Sequence, residues 1–167
     1  MQLSTRGRYA VMAMTHLAAR ERHATGGDMG RPVCLSEIAA EQRLSLSYLE
    51  QLFGRLRRAG LVTSMRGPGG GYRLARPAES VSIAAIVAAV NEKIRATRCE
   101  AGEAGCMAGA GADGAAGRCQ THELWFELGR QIQLFLEGVT LADVVSGRVE
   151  GRAVALPAAP VAALAAE

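Results

Sequence analysis

The chain has no run of about 18 consecutive apolar residues, so no transmembrane helix is expected. Its opening, MQLSTRGRYAVMAM, also lacks the long apolar stretch of a secretory signal. Residence in the cytoplasm, with no membrane partner, is the expectation. Aromatic residues are scarce: one Trp, three Tyr and three Phe make up 4% of 167 residues. That argues against a large aromatic core. The 49% hydrophobic content, much of it alanine, suits compact helical packing instead. A glycine cluster occurs at 67–71, but no Gly-Lys-Ser/Thr follows it and no helix begins at its end, which argues against a nucleotide P-loop. Cysteines number only four. In a reducing compartment a cluster of them points to metal binding or redox sensing rather than to a structural disulfide.

Charge is mild in sum, at +3, and uneven in place. Residues 1–80 carry twelve Lys or Arg against six Asp or Glu, and residues 81–167 carry seven against ten. A basic first half beside an acidic second half fits a polyanion partner for the first. A solvated basic surface fits as well, and charge alone does not separate the two.

Helical periodicity begins at Thr5, with Tyr9, Ala10, Ala13, Met14 and Leu17 on one stripe. Arg6 and Arg8 fall in its first turn, where the helix dipole disfavours cations and a bound phosphate would offset the cost. His16 and His23 have no partner pattern and read as surface or boundary residues. Ser36 is expected to cap a short helix over 37–42, a turn follows at 43–45, and a second helix runs from about Ser47 to Ala59. Its apolar face is Leu49, Leu52, Phe53 and Leu56; Ser47, Gln51, Gly54, Arg55 and Arg58 lie opposite, with Tyr48 and Glu50 on the flanks. A short helix, a tight turn and a helix with a polar-basic outer face form the helix-turn-helix layout. Strands over 62–66 and 72–74, joined by Gly67-Pro68-Gly69-Gly70-Gly71, add the wing of a winged helix. Gly69 and Gly70 let the turn approach a phosphate backbone closely, and Arg66 and Arg73 flank it.

Ser82 is expected to cap a helix over 83–90. Further on, Leu124, Leu128, Ile132, Phe135, Leu136 and Val139 trace what reads as the longest amphipathic helix, with Trp125 beside it as a core or interface residue. It lies far along the chain from the head's own core, so a second copy is the expected cover, the alternative being its own domain. Thr140 is expected to cap a final short helix, and the tail from Gly147 lacks helical order.

Between these helices lies a loop that packing cannot order. Its spacing is Cys99-x6-Cys106-x12-Cys119-x2-His122, and almost everything between is Gly or Ala. Such a segment has little side chain to bury and costs backbone entropy to fix. A metal centre held by three thiolates and an imidazole would order it, and the donor set suits zinc as well as iron. A disulfide switch among Cys99, Cys106 and Cys119 is a further reading. A Cys–His nucleophile pair lacks any accompanying oxyanion motif or orienting residue, so an enzyme is not expected. Cys34 stands apart and reads as a small buried apolar residue.

The segments STRGRYAVMAM, LSLSYLEQLFGRLRRAGLV, MRGPGGGYRL, ATRC and CQTHELW together resemble the Rrf-type family of dimeric winged-helix transcription repressors, over roughly residues 1–146. The Cys-x2-His exit is what resembles the family's iron–sulfur branch, the regulators of iron–sulfur cluster assembly. The resemblance implies a mostly α fold: a winged helix-turn-helix DNA-binding domain (1–80), a connecting helix (81–94), a cysteine-rich cluster-binding loop (95–122), a dimerisation helix with a short C-terminal helix (123–146) and a flexible tail (147–167). It implies a 2Fe–2S cluster on Cys99, Cys106, Cys119 and His122; the residues themselves leave zinc as the alternative metal and Asp113, in the lengthened segment, as an alternative fourth ligand. It also implies a DNA operator as partner, a homodimer, and cluster-assembly scaffold proteins as cluster donors. The loaded form is expected to repress cluster-assembly genes, and the empty form to bind a second class of site; other branches of the family sense nitric oxide or thiol chemistry. Glu50 is the residue expected to discriminate between site classes, because a carboxylate repels phosphate but accepts from a cytosine amino group. Ser47, Tyr48 and Gln51 are candidate base or backbone contacts, and Arg55, Arg58 and Arg66 candidate phosphate or groove contacts. One departure is the segment between the second and third cysteines, longer here by AGAGADGAAG, which loop-closure entropy tolerates.

Overall fold

A computed structural model describes residues 5–22, 31–92 and 120–149 of the chain. Helix α1 (Thr5–Arg22) is followed by α2 (Leu35–Gln42), α3 (Leu46–Arg58), strands β1 (Val62–Met65) and β2 (Gly71–Leu74), a 3-10 turn at Ala78–Ser80, α4 (Ile83–Ala89), α5 (His122–Gly138) and α6 (Leu141–Ser146). The fold is mostly helical, with one small antiparallel sheet.

Helix α1 forms on the expected stripe, burying Ala10, Ala13, Met14, Leu17 and Ala18. Its first turn carries no acid of its own. The Gly7 N–H donates instead to the Glu92 carboxylate at 2.7 Å, a cap supplied from the far end of α4. At the other end Glu21 accepts from the Leu74 N–H at 2.7 Å and pins β2 to α1.

The helix-turn-helix departs from expectation at its start. Ser36 is exposed within α2 and caps nothing; Cys34 is the N-cap residue. Leu35 explains the shift, because it is buried and one turn before Ile38 on the same face. Helix α2 ends at Arg43 in the left-handed region (φ 52°), with the Leu44 N–H returning to the Ala39 carbonyl. Helix α3 buries Leu49, Leu52, Phe53 and Leu56, the face expected from its periodicity.

The wing pairs Val62 with Leu74 and Met65 with Gly71. Val33 adds a bridge to Tyr72 through reciprocal bonds of 2.9 Å. A Cβ on Gly71 would lie 2.5 Å from the Val33 carbonyl oxygen, so only glycine admits this approach. Gly69, at φ 76°, makes the turn.

Two later caps follow local signals. Ser82 Oγ accepts from the Ala85 N–H at 3.1 Å. Thr140 and Asp143 form a capping box on α6, and Asp143 is 4% exposed. Residues Ser82 and Thr140 also bridge, so α6 returns to the head: Val81, Ile83, Ile86, Val139 and Leu141 share one core with Leu17, Leu49 and Phe53. Helix α5 has 17 residues to α1's 18, so it is not the longest, and its last turns are not remote: Phe135 and Leu136 pack against that core.

Candidate nucleic-acid interface and metal centre

The outer face of α3 exposes Ser47, Glu50, Gln51 and Arg58. Ser47 Oγ lies 3.0 Å from Ser45 Oγ, and Arg58 Nε donates to the Gly54 carbonyl at 3.2 Å. Tyr48 is half-buried, edge-on to Tyr9 with ring centroids 6.1 Å apart. Arg55 is turned inward: its Nη1 donates to the Val90 carbonyl at 3.1 Å. At about 100° per residue Arg55 falls on the flank of Tyr48, two turns on, and not on the line of Ser47, Gln51 and Arg58. Arg57, which sequence reading passed over, is exposed and reaches Ser64 Oγ at 3.3 Å, joining α3 to the wing. No local pattern signals that contact, since only pairing of β1 beside α3 creates it.

Arg66, Gly69 and half-exposed Met65 (50%) present the wing tip to solvent. Gly70 lies where a Cβ would sit 2.4 Å from the Met65 carbonyl oxygen. Arg73 is half-buried on β2, and its Nε is buried without a hydrogen-bond partner among the described residues. Arg6 and Arg8 are exposed in the first turn of α1.

Cys34 corrects the expectation of an inert apolar residue. It is half-buried, and its thiol donates to the Gly70 carbonyl at 3.1 Å, tying the start of α2 to the wing turn. His16 likewise has a partner. Its side chain is 8% exposed, and Nδ1 lies 3.3 Å from the Glu41 carboxylate, which also receives Arg20. His23 lies outside the described residues.

Of the expected metal ligands, Cys99, Cys106 and Cys119, with Asp113, lie outside the described residues, and His122 lies within them. His122 opens α5 and is the one buried residue of that helix, 6% exposed. Its ring stacks on Phe126 with an interplanar angle of 11°, and its Nδ1 is buried with no hydrogen-bond partner among the described residues. A buried imidazole nitrogen left unpaired is costly. It fits a metal ligand, and a donor set completed by Cys119, three residues upstream, with Cys106 and Cys99 earlier in the chain, suits an iron–sulfur centre or zinc. Trp125 is 38% exposed and donates to Thr121 Oγ1 at 3.1 Å, so it lies outside the core. Among the described residues no helix is long and apolar enough to cross a membrane.

The Rrf2 family model, described as an iron-dependent transcriptional regulator, matches residues 3–147. ORF2 of Azotobacter vinelandii, assigned as an HTH-type transcriptional regulator, is 49% identical over 146 residues, covering 87% of this chain and 80% of that one. The HTH-type transcriptional regulator IscR of Yersinia pseudotuberculosis is 46% identical over 148 residues, covering 89% and 81%. Among solved structures, IscR of T. potens superposes with a TM-score of 0.64 at 30% identity, covering 94% of each chain. CymR, the global cysteine regulator of B. subtilis, gives 0.66 at 31%, covering 88% and 98%. These relatives are regulators, not enzymes, and the small sheet of this chain is the wing of their winged-helix fold. The chain belongs to the Rrf2 family of helix-turn-helix transcriptional regulators.

Proposed function

We propose that this protein is a DNA-binding repressor that senses iron–sulfur supply through a 2Fe–2S cluster held by Cys99, Cys106, Cys119 and His122, and that it controls cluster-assembly genes. The observation that carries the reading is the buried, unpartnered Nδ1 of His122, three residues after Cys119. IscR relatives at 46% identity support it. When bound, the cluster supplies a supply-sensitive and oxidation-sensitive crosslink between the loop and α5. His122 makes the site less negative than four thiolates would, and raises its potential, as imidazole ligation does elsewhere. A protonated ring cannot ligate, so occupancy falls in acid. Replacing His122 by Cys is expected to flatten that fall; equal pH profiles for the two proteins would contradict the assignment.

Ser47, Tyr48, Glu50 and Gln51 face the bases or backbone of a DNA operator in this reading, and Arg6, Arg8, Arg58, Arg66, Gly69 and Gly70 face its phosphates or groove. Glu50 is exposed among them, and Glu50→Ala is expected to relax discrimination between two classes of site without abolishing binding. Unchanged binding to both classes would remove it from the role. A homodimer formed through α5 sets two such surfaces on one duplex, and cluster-assembly scaffold proteins act as donors.

The test is made on protein purified without oxygen. Visible absorption is recorded, and iron, sulfide and zinc are counted per chain. Thiolate-to-iron bands with matching iron and sulfide are expected. A colourless protein with zinc and no sulfide overturns the cluster and leaves a winged-helix regulator with a structural staple.

A further inference from the structure

We infer that Arg55 is a positioning residue, which locks the recognition helix α3 to the segment feeding the cysteine loop instead of touching DNA. Three elements meet at residues 90–92. The carbonyl of Val90, at the end of α4, accepts from Arg55 Nη1 at 3.1 Å. Asn91 takes a left-handed conformation (φ 57°), with its N–H on the Ala88 carbonyl and the Glu92 N–H on that of Val87, which is the hydrogen-bond pattern of a Schellman helix end. Glu92 then caps α1 through the Gly7 N–H, and a Cβ on Gly7 would lie 2.7 Å from that carboxylate. Residues 90–92 are therefore held on both sides, and Cys99 follows only seven residues later.

Helices α3 and α4 meet at a seam; Leu56 of α3 and Ile86 and Val90 of the α4 segment belong to the shared core, and the seam opens at its edge. There Arg55, Arg58, Ala59, Ala88, Ala89 and Asn91 line a cleft of about 390 Å³. Across that open edge the guanidinium–carbonyl bond is a fixed, charge-assisted link to a helix C-terminus, where the carbonyls are partly negative. A shift of residues 90–92 moves α3 with it. Tension or release in the loop thus reaches the DNA-reading face, and by reciprocity DNA binding steadies the end of α4. This coupling to the loop rests on the cluster reading above.

The experiment uses the full chain, wild type and Arg55→Gln, with a duplex selected on the wild-type protein from a random-sequence pool. Three quantities are read: the salt dependence of affinity, the ratio of affinities for iron-loaded and chelator-stripped protein, and hydrogen exchange at the Asn91 and Glu92 amides with and without duplex. Arg55→Gln is expected to leave the salt slope unchanged; a slope reduced by about one marks a phosphate contact and overturns the inference. The loaded-to-stripped ratio is expected to fall from about tenfold in the wild type toward one. Duplex-induced protection of the two amides is expected in the wild type and lost in the variant. A retained ratio, or protection retained in the variant, overturns the inference. If the wild type holds no cluster, the cluster reading fails by itself, and the slope and exchange measurements still decide the role of Arg55. Arg55→Lys, which keeps the charge and a donor, guards against a folding defect. It is expected to recover most of the amide protection; behaviour identical to the glutamine variant counts against the bond as the tie.

Discussion

Helices α3 and α5 carry the same kind of amphipathic pattern and meet different fates. Helix α3 buries four large apolar side chains, Leu49, Leu52, Phe53 and Leu56, because α2, β1 and α4 surround it. Helix α5 buries only His122 and leaves Leu124 60%, Trp125 38%, Phe126 40%, Leu128 37% and Leu134 38% exposed. At about 100° per residue those five spread around most of the helix instead of forming one stripe. A helix apolar on most sides is one meant to be covered on most sides. Periodicity therefore specifies which residues are apolar and says nothing of what covers them. In α3 the same chain provides the cover. In α5 the head, among the described residues, reaches Phe135 and Leu136, which leaves the first turns to the proposed second copy.

Truncation in the two helices is the strongest way to break that contrast. Phe53 is fully buried, with its ring edge-on to Tyr72 at 4.9 Å. Phe53→Ala is expected to cost about 3–5 kcal/mol in denaturant unfolding. Leu128→Ala is expected to lower the dimer content in sedimentation while scarcely changing the unfolding of dilute protein. A loss in dilute protein comparable to that of Phe53→Ala would mean that the chain covers α5 by itself. Next in size is Asp143→Ala, which removes a buried capping box at the point where α6 rejoins the head; about 2 kcal/mol is expected. A cost under about 0.5 kcal/mol would show that α6 is held by Leu141 and Val139 alone. Smaller again, and opposite in sign, is Arg43→Gly in the helix-turn-helix turn. It relieves a left-handed non-glycine residue and is expected to raise stability by about 1 kcal/mol, read as a higher melting temperature.

What was legible in the sequence follows the range of the interaction. The buried face of α3, the Ser82 and Thr140 caps and the glycine wing are all written within a few residues, and they stand where periodicity and cap chemistry place them. The Ser36 cap failed because a buried Leu35 outweighed a local preference for serine. The contacts that organise the site are long-range: Cys34 to Gly70, Arg55 to Val90, Glu92 to Gly7 and His16 to Glu41. No window along the chain holds both partners, so the outward placement expected of Arg55 and the apolar reading of Cys34 had nothing to correct them. Of the candidate metal centre, the spacing named His122, and its buried, unpaired nitrogen is the part that only three-dimensional packing could add.

The finest discrimination between the two helices is by acid. Helix α5 lacks the packing that holds α3, so before any second copy covers it, its helicity rests on local pairs. Glu127 is the centre of one: it accepts from Arg130 Nε and Nη2 at 2.7 Å each and from Gln131 Nε2 at 2.6 Å. These partners stand three and four residues on, a spacing that brings them together only on a formed helix. The hydrogen bonds from Arg130, then that from Gln131, lower the Glu127 carboxyl from 4.5 to about 2. A carboxyl held lower in the folded state than in the unfolded one stabilises above its unfolded value, and that contribution fades as pH falls through the folded value. Helicity of the wild type should therefore exceed that of Glu127→Gln above pH 4.5, and the difference should close between pH 4.5 and about 2. Because both side chains are about half exposed, salt should shrink the difference. A difference that survives unchanged at the acid end would mean that packing, not this pair, holds the first turns of α5, and the contrast with α3 would dissolve.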